Sequence, residues 1–116
     1  MRVSEALNRA ADHMSRYGHH KGDAYADRRN KATSPVDLIG AILEATTKAF
    51  GEDVHSRIAL REKCRAAVFG VVGIDICHWN DATDRTLAQA VDVLRKASVQ
   101  AAAAEADAEA LGWAVV

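Results

Sequence analysis

The chain has 116 residues, with 15 Lys and Arg, 16 Asp and Glu, five His, two Cys and one Pro. That length suits one domain, and a hydrophobic share of 49% excludes a disordered chain. No apolar run approaches the roughly 20 residues of a membrane span, and a net charge of −1 gives no global attraction to nucleic acid or membrane.

Alanine fills 24 positions and aromatics only 5%, which points to thin, closely packed helices. Residues 1–66 hold 12 basic and 9 acidic side chains, whereas residues 67–116 hold 3 and 7. Cys64 and Cys77 make no disulfide framework, and the first residues show no signal-peptide pattern. The expectation is a cytoplasmic protein with free thiols.

The first helix is predicted from about Ser4, as N-cap, to Tyr17, with Gly18 ending it. Val3, Leu7, Ala10, Ala11, Met14 and Tyr17 form its apolar stripe. Residues 19–33 are polar and without period, and read as a long loop. Ser34 as N-cap, Pro35 at N1 and Asp37 at N3 predict the start of the second helix. Its stripe is Leu38, Ile39, Ile42, Leu43 and Thr46, and it should stop near Phe50–Gly51.

Asp53 caps a predicted third helix that runs to about Val72, with Val54, Ile58, Cys64, Val68 and Val71 sharing a face. Its segment AAVFGVVGI is apolar nearly all round; helix is favoured over strand. A fourth helix is predicted from about Ala82, capped by the Asp81/Asp84 pair or by Thr83, to Leu111 just before Gly112. Such a helix would be about 45 Å long. The other helices are shorter, so its last third should project, fold back or pack on another chain. The fold expected is an all-α bundle of about four helices. It comprises a helical domain, 1–98, and an Ala-rich helical extension with an apolar tail, 99–116.

Trp79-Asn80-Asp81, Arg85-Thr86, Val91 and Leu94-Arg95-Lys96-Ala97 form a distinctive run. It resembles the C-terminal signature of a family of small uncharacterised actinobacterial and actinophage proteins, a DUF6197-like domain of unknown function. Tyr17-Gly18, Gly22 and Gly40-Ala41-Ile42 extend the resemblance upstream. The resemblance covers residues 4–98 and implies no activity.

The structural reading of Trp79, Asn80, Asp81, Arg85 and Thr86 puts Trp79 in the core and Asn80 or Asp81 at a helix cap. Arg85 would then pair with Asp81 or Asp84. The functional reading is a small enzyme pocket of His78, Asp81, Asp84 and Arg85, with no nucleophile–base pair, phosphate loop or metal spacing to support it. His13, His19, His20 and Asp23 lack metal-ligand spacing, and no metal or cofactor is expected. Cys77-His78 would serve as nucleophile and base only if both faced one cleft.

Arg28, Arg29 and Lys31 of the loop, with Arg57, Arg61 and Arg65 of the third helix, are candidate phosphate contacts. Tyr25 is a candidate stacking group beside them. The alternative is a solvated face balanced by neighbouring acids. The tail ends in Leu111, Trp113, Val115 and Val116, an unusual apolar terminus unless it docks. The primary functional expectation is therefore a non-enzymatic interaction protein that docks this tail on itself or on a host protein, a phage-encoded one being among the origins the resemblance implies. A nucleic-acid-binding module is the first alternative, and the small enzyme the second.

Overall fold

The computed structural model describes residues 1–112, in which five α-helices and one 3-10 turn alternate with short connections. They are α1 (Val3–Tyr17), the 3-10 turn Lys31–Thr33, α2 (Leu38–Thr46), α3 (Val54–Val72), α4 (Ile76–Asn80) and α5 (Leu87–Ala110). The all-α class is as expected, and the apolar segment 66–74 is helical through Val72. Among the described residues, β pairing is limited to isolated bridges, His19 with Val36 and Tyr25 with Val36.

The core is built on alanine. Ala6, Ala10 and Ala11 of α1 and Ala90 and Ala97 of α5 are buried, with Leu7, Met14 and Leu94 filling the larger spaces. Small side chains let the two long helices approach closely, and they run antiparallel. Arg95 donates to Asn8 Oδ1 at 3.0 Å and to Asp12 at 2.6 Å, and Ser98 Oγ donates to the Ser4 carbonyl at 2.7 Å.

The far third of α5 does not project. Glu105 is buried and accepts from the Ser4 N–H at 3.0 Å and the Ser4 hydroxyl at 2.7 Å. Arg2 pairs with Glu109 one turn further. α5 runs on unbroken past Ser98 to Ala110, and this stretch packs on α1.

Several helix ends differ from expectation. Ser4 is not the N-cap of α1. That position is Arg2, which offers no side-chain bond, and the carboxylate of Glu105 satisfies an orphan N–H in its place. Asp37, not Ser34, caps α2, accepting from the Gly40 N–H at 2.6 Å. Ser34 instead folds into the loop, where its Oγ donates to the Pro35 carbonyl and accepts from the Asp27 N–H. α2 ends at Thr46, short of Phe50.

Asp53 caps α3 and the helix ends at Val72 as read; the Gly73 that follows it, in the left-handed region at φ 75°, was not singled out. Its buried face is Leu60, Cys64 and Val68, and Val54 and Ile58 are exposed. α4, capped by Asp75, was not anticipated. α5 starts five residues later than expected because Thr86 and Gln89 form a capping box, displacing Asp81, Asp84 and Thr83 from that role.

The 19–33 segment is a structured strap over α2. Val36 N–H donates to the Gly18 carbonyl, His20 N–H to Val36 and Asp37 N–H to Ala24. No described helix is long and apolar enough to cross a membrane.

Candidate functional site

The Trp79–Thr86 motif closes the strap against the helices. Asn80 is 1% exposed and uses both ends of its amide. Its Oδ1 accepts from His19 Nε2 at 2.8 Å and from the Leu38 N–H at 3.2 Å. Its Nδ2 donates to the His20 carbonyl at 3.0 Å and to Asp81 Oδ1 at 2.8 Å. Asn80 thus serves a helix N-terminus, but that of α2, 42 residues upstream, rather than the helix that follows it.

Asp81 also accepts from the Gly22 N–H at 3.0 Å, and Lys21 Nζ reaches the Ala82 and Thr83 carbonyls. The hydrogen bond from Asn80, then that from Gly22, hold the Asp81 carboxyl below its usual range. Arg85 forms no ion pair with Asp81 or Asp84. It donates to the Trp79 carbonyl at 2.9 Å and lays its guanidinium 3.6 Å from the indole centroid. Trp79 is half-buried against the core edge.

Asp37 sits beside this clasp. Burial, then the neighbouring charges of Asp81 and Asp23, raise its carboxyl above the usual range against the pull of the Gly40 N–H. Protonation is therefore favoured in the folded state. Stability supplied by Asp37 falls as pH rises from the ordinary aspartate range through the raised value. Asp37→Asn keeps the cap oxygen and removes the charge. Chemical denaturation should show it at least as stable as the parent at pH 7, with any advantage vanishing below about pH 4.

His78, Asp81 and Arg85 do line one open cavity of about 350 Å³ with Trp79 and Thr83, and Asp84 is not among its walls. Asp81 and Arg85 are already engaged there in holding the fold. Cys77 is exposed, and its thiol is pushed up by burial first and then by Asp37, Asp75 and Asp81, the reverse of an activated nucleophile. Among the described residues no three His, Cys, Asp or Glu side chains gather as a metal site.

The basic candidates do not share one surface. Arg28, Lys31 and Arg61 meet around a cavity of about 630 Å³ between the strap, α2 and α3, within the size range of ligand pockets. Arg57 is turned away to donate to the Ala49 and Gly51 carbonyls. Arg65 lines a different groove with Ile39, Phe69 and Cys77, and Arg29 is exposed on the strap outside both.

Three further wall residues were not anticipated: Glu44, Thr47 and Lys48. Their i, i+3, i+4 spacing is a polar helix face that the sequence displays. Arg28 pairs with Asp23 at 2.5 Å. Arg61 donates to Thr46 Oγ1 at 2.8 Å and to the Leu43 carbonyl, supporting the C-terminal end of α2. Lys31 and Lys48 pair with no carboxylate among the described residues.

Tyr25 cannot stack on a base. Its ring is 6% exposed, with Lys31 Nζ at 5.3 Å and Arg28 at 5.9 Å from its centroid. Its hydroxyl donates to Glu44 at 3.1 Å and its pKa is pushed up to about 12, by burial first and then by Glu44. Leu111, of the expected docking tail, is exposed at the end of α5. Trp113, Val115 and Val116 lie outside the described residues.

Fold and clasp together define a small all-α domain whose first and last helices are bonded side by side and whose strap is sewn down by one asparagine. The chain belongs to the DUF6197 family of unknown function, whose model matches residues 1–100. No curated protein and no solved structure matches it.

Proposed function

We propose that this protein is a non-catalytic binding module whose ligand is a phosphate-bearing anion held in the cleft between strap, α2 and α3. One observation carries the reading. Four cations from three separate elements, Arg28, Lys31, Lys48 and Arg61, wall a single cavity against one carboxylate, Glu44. Arg28 and Arg61 have structural partners that fix them, while Lys31 and Lys48 keep their charge for a ligand. The polar motif residues support a non-catalytic role, since Asn80, Asp81 and Arg85 are spent on the clasp. α5 past Ser98 packs on α1 as far as Ala110, which removes an uncovered helix as a motive for the tail docking first expected, while Trp113, Val115 and Val116 lie outside the described residues.

Calorimetric titration with inorganic pyrophosphate tests the reading. Binding should be measurable near 50 mM salt and fade towards 200 mM, as for ligands held by charge. The double variant Lys31→Glu, Lys48→Glu should abolish it with the thermal transition unchanged, both side chains being exposed. No binding by the parent at low salt overturns the proposal.

A further inference from the structure

The basic cleft is not isolated. A second cavity of about 320 Å³ lies on the other flank of α2, walled by Met1, Arg9, His13 and Ala45. Both cavities share Glu44, Thr47 and Lys48 as a common wall. Lys48 thus borders both cavities, with Arg28, Lys31 and Arg61 around one and Arg9 at the other. A single small anion would fill one cavity and leave the second without purpose. A chain of anions would use both.

We infer that the ligand is a single-stranded nucleic acid whose phosphodiester backbone crosses Lys48 from the strap cleft to Arg9. This rests on the anion-binding reading above. The chemistry favours backbone over base recognition. Among the described residues Tyr25 is the one aromatic of the strap cleft, and it is buried under Lys31 and Arg28, which leaves no described ring there for stacking. Binding is then carried by charge and is indifferent to sequence. Glu5 and Asp23 already pair with Arg9 and Arg28, and Glu44 stands in the wall. Five cations against three carboxylates give a modest surplus, hence weak, salt-steep binding in the range of non-specific complexes.

Fluorescence anisotropy with a labelled oligothymidylate of about 12 nucleotides, within the range of single-strand site sizes, tests the track on the full chain. Inorganic pyrophosphate and polyglutamate serve as competitors. The oligonucleotide should bind at least about tenfold tighter than pyrophosphate, with a log–log salt slope near −2 to −3, matching three or four phosphates. Arg9→Ala should weaken the oligonucleotide several-fold and leave pyrophosphate unchanged. Lys31→Glu with Lys48→Glu should abolish both.

If pyrophosphate binds and the oligonucleotide is no tighter, the track is overturned and the anion site stands. If neither binds, both fall. An oligonucleotide that binds tightly but ignores Arg9→Ala overturns the path across Lys48. Polyglutamate that competes as well as unlabelled oligonucleotide overturns the nucleic-acid assignment in favour of an acidic protein segment.

Discussion

Asn80→Ala should cost about 3–4 kcal/mol, a large part of the stability of a domain this size. The substitution removes four hydrogen bonds at once from a side chain that is 1% exposed. The costly part is what remains. The Leu38 N–H at the start of α2 and the His20 carbonyl lose their partners in a site water reaches poorly, and each orphan costs about 1–3 kcal/mol. Thermal unfolding should show a midpoint lowered by roughly 15 °C, at about 4 °C per kcal/mol. Asn80→Asp should fare little better. It keeps the two acceptor bonds but gives up both donors and sets a second carboxylate beside Asp81. A loss below about 1 kcal/mol in the alanine variant would release the motif from a structural role and return it to the functional candidates.

Gly40→Ala should be destabilising by about 2–3 kcal/mol, although alanine is the better helix former by roughly 1 kcal/mol. A Cβ at this position overlaps the Ala24 carbonyl oxygen and stands 2.8 Å from its carbon and 3.2 Å from Val36 Cβ. The obstacle is backbone, and that carbonyl accepts the Asp37 N–H at 3.1 Å. The strap must lift before the methyl fits. Gly70→Ala is the internal control. Gly70 lies inside α3, where an added Cβ meets nothing within 4 Å. There the same exchange should stabilise by up to about 1 kcal/mol. Opposite signs in a pair of denaturation curves confirm that strap contact, not helix propensity, requires glycine at 40. Equal signs would refute it.

These two positions also show what reading along the chain reaches. The α1 stripe, the bounds of α3 and the all-α class follow from periodicity and from local caps, and all were legible. The Thr86/Gln89 capping box was equally local but hidden among Asp81, Thr83 and Asp84, each a plausible cap. Asn80 was legible as a capping residue and not as to its target, because the bond to Leu38 spans 42 residues. The crowding at Gly40 belongs to a strap that pattern alone describes as an aperiodic loop. Basic residues were visible as a set. Their division into cleft, helix support and separate groove depends on which carbonyls α2 leaves open.

The pairing of Ser4 with Glu105 bears on the order in which the molecule assembles. α1 is made before α5, yet the acceptor for the Ser4 N–H at its start lies 101 residues later. Its apolar stripe likewise finds its most extensive partner surface on α5. A helix of 15 residues is marginal on its own in water, so α1 gains its full set of partners only once α5 has been made. For a helical domain this places unusual weight on contacts between elements far apart in sequence. Folding should then be slower than in a bundle of sequential hairpins, and completed only once α5 is available to α1.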